Sequence, residues 1–137
     1  MELDPSAFLA DHQLIQALGK QAAPISCDHD LVLFRQGDAP LGLYILLNGK
    51  ATLTMDSPTG DPILSVQAAA NSLLGLPGLI GNQPYTLTAV AHPGAQLRFV
   101  SRDEFTALME SQPLLSLKVL QVLAAELLTA RHALLQS

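Results

Sequence analysis

The residue types that most often carry chemistry are sparse and scattered in this chain. Its four histidines, His12, His29, His92 and His132, share no metal-ligand spacing. The lone cysteine, Cys27, has no basic neighbour to hold it as a thiolate. With no second cysteine there is no intramolecular disulfide, in keeping with a reducing, cytoplasmic setting. Nucleophile elbow, HExxH and P-loop are all missing, and no carboxylates are paired in a catalytic context. The chain therefore reads as a non-enzyme with no resident metal or cofactor. What remains is a stretch suited to non-covalent binding, GLPGLIGNQPYTLTAVA from Gly75 to Ala91. A tight apolar Gly/Pro turn leads through a short loop to Pro84 and an alternating strand. Leu74, Leu76, Pro77, Leu79, Ile80 and Leu87 would line an apolar cleft, with Tyr85, Thr86 and Thr88 as polar handles for a neutral or aromatic small molecule. Thr86 and Thr88, two apart on the expected strand, would share one face. The same residues would equally well close a core that binds nothing, and both readings stay open.

The elements that must position this stretch follow from the hydrophobic pattern. Asp4-Pro5 reads as a helix start, with Phe8, Leu9, His12, Ile15 and Leu18 at near-helical spacing and Gly19 as the stop. LVLFRQGD from Leu31 reads as a strand ending in a turn. In LGLYILLNGKATLTM, Leu43, Ile45 and Leu47 alternate with Tyr44 and Leu46. Asn48-Gly49 then gives the strongest local hairpin signal, and Ala51, Leu53 and Met55 mark a second strand. DSPTGD is a turn cluster and PILSVQA a further strand; HPGAQ makes a turn before the final strand, LRFVS. Ser101 and Glu104 form a capping box for a helix carrying Phe105, Leu108 and Met109, and Pro113 starts the last helix, running to Gln136.

Leu-Phe-x-x-Gly-Asp followed by Leu-Tyr-Ile-Leu-x-x-Gly-Lys, together with the Gly75–Ala91 stretch, resembles the cyclic-nucleotide-binding domain, the sensor module of the CRP/FNR regulators. The resemblance covers about residues 25 to 130. It implies a mainly β fold with flanking helices: a CRP-like double-stranded β-helix, or jelly roll, with an N-terminal helix and two C-terminal helices. It also implies one domain over residues 1–137, divided into an N-terminal helical segment (1–24), the β-roll (25–101) and C-terminal helices (102–137). In that family a Gly-Glu pair opens the ligand cassette and a Pro-Arg-Ser/Thr-Ala run closes it. The glutamate holds the ribose and the arginine pairs with the cyclic phosphate. The resemblance maps the ligand-binding cassette here onto Gly75, Leu76, Pro77, Gly78, Leu79, Pro84, Tyr85, Thr86 and Leu87. Leu76 stands in the glutamate's place, Tyr85 in the arginine's and Leu87 in the alanine's.

A cyclic phosphate needs a planar cation, and Tyr85 offers one neutral hydroxyl, so the cassette reads as a weak site for a cyclic nucleotide. Arg35, Lys50, Arg98 and Arg102 are the cations that would have to compensate.

The last helix is long and unusually apolar. Leu117, Leu120, Ala124, Leu127, Arg131 and Leu134 share one face at three- and four-residue steps, while Leu115, Val119, Val122, Leu123 and Leu135 widen the apolar surface. A stripe this wide needs a partner, and the resemblance implies a twin helix and hence a homodimer. The alternative is that the helix folds back onto its own roll. Nothing in ARHALLQS begins a helix-turn-helix, so the chain reads either as a stand-alone effector-sensing regulatory domain or as the sensor part of a longer DNA-binding regulator. A ligand-free protein-interaction or dimerisation module is the other class that fits. The chain has 137 residues, 49% of them apolar, and a formal net charge of −5, which suits one globular domain and a poor direct nucleic-acid binder. No apolar run spans a bilayer.

Overall fold

The computed structural model describes residues 5–20 and 22–135, with side chains described through Thr129 and at Arg131. The chain opens with a 3-10 turn over Pro5–Phe8, followed by helix α1, His12–Gly19. The helix thus starts later than the sequence suggests. Asp11, not Asp4, is its cap, its carboxylate accepting from the Leu14 N–H at 2.8 Å. Asp4 lies outside the described residues. Phe8 and Leu9 precede the helix, whose buried side chains are Leu14, Ile15 and Leu18.

Among the described residues eight strands follow: β1 Ala23–Ser26, β2 Leu31–Phe34, β3 Gly42–Asn48, β4 Ala51–Asp56, β5 Pro62–Ala68, β6 Ser72–Leu74, β7 Thr88–Ala91 and β8 Gln96–Ser101. They form two four-stranded antiparallel sheets, β1-β8-β3-β6 and β2-β7-β4-β5. Between β6 and β7 lies a short helix, α2, Leu76–Gly81. After β8 come α3, Arg102–Ser111, and α4, Pro113–Leu135. This is the jelly roll with flanking helices that the family resemblance implied.

The two faces of β3 explain the layering. Leu46 and the half-buried Tyr44 face the roll interior with Phe34, Leu53, Leu64, Val66 and Leu97. Leu43 and Ile45 face outward and are equally buried, because α1, α3 and α4 cover that side with Leu14, Leu18, Phe105, Leu115 and Val119. A strand buried on both faces reads as a near-continuous apolar run, and GLYILLN is one.

Asn48-Gly49 does not make a hairpin. Both edges of β3 are taken, by β8 and by β6, so β4 has no edge to pair with and the chain crosses to the other sheet. Gly49 sits at φ +86°, and a Cβ there would lie 2.7 Å from Ala95 Cα, so this corner requires glycine. The tight hairpin falls instead at DSPTGD. There the Ser57 N–H donates to Asp61 O at 2.7 Å and the Gly60 N–H to Ser57 O at 2.9 Å, joining β4 to β5.

Two short strands carried no readable pattern. β1 contains Pro24, tolerated because β1 is an edge strand, and it begins at Ala23, two residues before the expected start of the roll. β6 is three residues long. At the start of α3, Ser101 caps as expected: its Oγ accepts from the Glu104 N–H at 3.2 Å. The Glu104 carboxylate returns to the cap hydroxyl at 2.9 Å instead of to the cap N–H. Among the described residues, no helix is long and apolar enough to cross a membrane.

Candidate functional site

The Gly75–Ala91 stretch folds as a glycine pivot, a helical turn, a loop and a strand. Gly75 caps α2 at φ +95°, and Asn82 ends the helix in the left-handed region, its N–H donating to Gly78 O. The turn expected from Gly75-Leu76-Pro77 is therefore a short α-helix, with Pro77 near its start, where a missing N–H costs nothing. The strand begins at Thr88, so Thr86 lies before it and the two threonines do not share a strand face. Thr86 is exposed, whereas the Thr88 hydroxyl accepts from the Gln36 N–H at 2.9 Å.

Tyr85 is the centre of this region. Its backbone N–H donates to Asp38 O at 2.9 Å, and its carbonyl accepts from the Gly37 N–H at 2.8 Å. The side chain is buried, 5% exposed, and its ring stacks on Phe34 with centroids 4.0 Å apart. The hydroxyl donates to Gly42 O at 2.5 Å and accepts from the Gly42 N–H at 3.3 Å. Glycines make room for it: a Cβ on Gly75 would lie 2.9 Å from Tyr85 Cε1. Tyr44 extends the aromatic row toward Phe99, its own hydroxyl donating to Leu33 O, and burial pushes that phenol's pKa up.

The space left beside Tyr85 is about 10 Å³, lined by Phe8, Phe34, Leu53, Gly75, Pro77, Gly78, Tyr85, Thr86, Leu87 and Glu126. That is room for about one water, against about 300–1,000 Å³ for a small-molecule site. Of the expected lining, Pro77 and Leu87 reach this cavity with the two glycines, Tyr85 and Thr86. Leu74 is part of the roll interior, Leu76 and Leu79 point to the opposite side into the core beneath the helices, and Ile80 is partly exposed. Pro84 is exposed in the loop before Tyr85.

None of the four candidate cations lines the cavity. Arg35 and Lys50 are exposed, Arg98 donates to Ala22 O at 3.3 Å, and Arg102 donates to Asn82 Oδ1 at 2.5 Å. The ionisable group that does reach it from outside the cassette is an acid. Glu126 of α4 is 6% exposed, its Oε1 has no hydrogen-bond partner, and burial pushes its carboxyl up to about 8. This residue was not singled out from the sequence. Its signal was there: it continues the row Leu115, Val119, Val122 by a step of four, as the one acid on a buried face.

Two of the histidines, His29 and His92, are tied up locally, and His12 is exposed at the start of α1. His92 Nε2 lies 2.6 Å from Thr52 Oγ1 and its Nδ1 3.1 Å from Asp30 Oδ1, bridging the start of β2 to β4. His29 pairs with Asp28 on the surface. The side chain of His132 lies outside the described residues. Burial, with Asp28 nearby, pushes the Cys27 thiol up, away from the reactive thiolate. Among the described residues, no group of three or more histidine, cysteine or acidic side chains is placed to hold a metal ion.

Helix α4 has two distinct apolar faces. Leu115, Val119 and Val122 are buried against the roll and the other helices. Of the stripe expected at a partner interface, Leu117, Leu120 and Leu127 are more than half exposed, at 56%, 52% and 57%, and Ala124 and Arg131 are exposed as well. The side chain of Leu134 lies outside the described residues. Next to Leu120, a groove of about 610 Å³ runs between α2, α3 and α4, with Ile80, Phe105, Met109 and Val119 among its walls.

Among solved structures, the fold is similar to the Thermus thermophilus catabolite activator protein, with a TM-score of 0.78 and 21% identity over 96% of this chain and 62% of that one. This chain thus spans less than two thirds of that protein's length. It is also similar to a cyclic nucleotide-binding domain from Methylobacillus flagellatus (TM-score 0.69, 25% identity, 89% of this chain and 68% of that one). The sensor domain of the transcriptional regulator DNR from Pseudomonas aeruginosa matches with a TM-score of 0.69 and 21% identity, over 85% of this chain and 83% of that one. No curated protein matches the sequence. The family model for the cyclic nucleotide-binding domain matches residues 25–112, from β1 through the cassette to the end of α3, and on that match the chain belongs to the cyclic nucleotide-binding domain family.

Proposed function

We propose that this chain is a cytoplasmic regulatory domain that uses the cyclic nucleotide-binding fold without taking a cyclic nucleotide, and that it pairs with a second copy through the outer face of α4. The observation that carries the first part is Tyr85. Its hydrogen-bonded, stacked ring fills the cassette, the remaining space is about 10 Å³, and the ionisable group that reaches it from outside the cassette, Glu126, is an acid that offers a phosphate no cation. The second part is supported by Leu117, Leu120, Ala124 and Leu127, an apolar stripe left open although the opposite face of the same helix is packed. Any DNA-binding activity would come from sequence outside this acidic chain.

A thermal-shift titration with cAMP and cGMP to millimolar concentration tests the reading. The expected result is no saturable shift. A ligand present at 100 times its dissociation constant would add about 2.7 kcal/mol, a shift of several degrees, and that result would overturn it.

The groove beside Leu120 favours a second reading, a sensor for an apolar effector, since about 610 Å³ is the size of a small-molecule site. Stabilisation by an apolar ligand that Phe105→Ala abolishes would select that reading instead.

A further inference from the structure

Glu126 is an acid built into an apolar face. The row Leu115, Val119, Val122, Glu126 runs along one side of α4, and the first three members lie in the core beneath the helices. Beyond them the helix passes over the mouth of the roll, where Ala125 packs on the roll interior and Phe8 closes the same edge. Glu126 Oε1 is buried there with no partner, beside a cavity with room for one water.

The groups that face it offer no charge to stabilise a carboxylate. The 3-10 turn supplies Phe8, the strands Phe34 and Leu53, and the cassette Gly75, Pro77, Gly78, Tyr85, Thr86 and Leu87. Tyr85 is the titratable group among them, and its hydroxyl is committed to Gly42. On α4 itself, Lys118 pairs with Asp11 of α1, and Arg131 is exposed. A buried carboxylate without a cation or donors is expensive, whereas the neutral acid is tolerated.

We propose that Glu126 is a proton-controlled latch that holds the second half of α4 on the cassette: neutral, it stays packed; ionised, it draws water in and lifts that half of the helix from the mouth of the roll. The cassette would then report proton concentration to α4 at the place where relatives seat a ligand. The proposal stands whether or not α4 pairs with a second copy.

The direction of the pH dependence follows from linkage. The native carboxyl is pushed up from 4.5 to about 8 by burial, so between those values the native state holds a proton that the unfolded chain has lost. The stabilisation is complete below the unfolded value, declines as pH rises through the window, and is gone above the native value.

The test is hydrogen exchange of the amides from Val122 to Leu128 at pH 6 and pH 9, corrected for intrinsic exchange, in the full chain and in Glu126→Gln. The expected result is a loss of protection of about tenfold or more in that segment at pH 9, tenfold corresponding to one displaced pKa unit. Amides of β3 should keep their protection, and Glu126→Gln should show no such loss. Identical profiles in the two proteins would overturn the latch. Should the variant fail to fold, carboxyl-carbon NMR of the wild-type chain decides: a Glu126 midpoint near 8 supports the proposal, and one in the ordinary glutamate range refutes it. A dimer measured by sedimentation does not bear on either outcome, so the latch and the pairing of α4 fail separately.

Discussion

Replacing Tyr85 by alanine separates a ring that merely occupies space from one that holds the cassette shut. The side chain is 5% exposed, so truncation removes nearly its whole buried surface and leaves a void. Large aromatic-to-alanine changes in cores cost about 3–5 kcal/mol. Within that total, the hydroxyl bond to Gly42 O contributes about 1 kcal/mol and the stack on Phe34 about 0.5–1.5 kcal/mol. For a domain of this size the expected fall in melting temperature is about 10–20 °C. Tyr85→Phe keeps the stack and loses the hydroxyl, so it should cost about 1 kcal/mol. Urea denaturation followed by circular dichroism gives both values, and Thr86→Ala, at the exposed neighbouring position, supplies the reference, expected within about 0.5 kcal/mol of wild type. The enlarged cavity should also let a small aromatic such as indole stabilise Tyr85→Ala but not the wild type. A cost for Tyr85→Ala no larger than that of Thr86→Ala would show that the ring does not close the cassette.

Two further outcomes follow from the same packing. Leu120→Glu with Leu127→Glu places charges on the exposed face of α4, so it should leave the melting temperature of dilute protein nearly unchanged while shifting sedimentation toward monomer. A wild-type chain that sediments as a monomer throughout the micromolar range would dispose of the interface. Gly49→Ala and Gly60→Ala share a positive φ, +86° and +90°, but only the first would drive a Cβ against backbone, at 2.7 Å from Ala95 Cα, while nothing lies within 4 Å of the second. Gly60→Ala should therefore cost about 1 kcal/mol and Gly49→Ala distinctly more. Equal costs in chemical denaturation would contradict the placement of that corner.

Much of the roll was legible because its strands are written as alternation or as apolar runs between turns. Leu43 and Ile45 against Tyr44 and Leu46 are sorted as the pattern implies, and Ser101 and Pro113 mark the helix starts. What failed was pairing. Asn48-Gly49 is a local preference, and it lost to the edges of β3, already filled by strands distant in sequence. The start of α1 was missed for a similar reason: Phe8 and Leu9 fit helical spacing, but Phe8 is drawn into the roll and the helix waits for Asp11. In the cassette, the sequence singled out Tyr85 as a residue, but the hydrogen bond that anchors it to Gly42 joins positions far apart in sequence. Leu76 shows the limit most clearly. It follows the pivot glycine, but its side chain is fully buried among Leu14, Leu79 and Val119, so a Leu76→Glu change paired with Tyr85→Arg would put a carboxylate in the helix-side core instead of the cassette. Glu126 was overlooked because an acid in a long helix reads as surface until the packing of that helix is known.

The nested pairing of the roll fixes an order of assembly. The β4–β5 hairpin closes across a five-residue turn, whereas β2 pairs with β7 and β1 with β8 across most of the β-roll. Each wider closure costs more chain entropy and is repaid only by contacts that the inner pairs have already brought near. Folding should therefore proceed from the Ser57–Asp61 turn outward, with the β1–β8 contact formed last. The cassette, strung between β6 and β7, is then set in place only as the wider pairs close, when the hairpin end of the sandwich is already built.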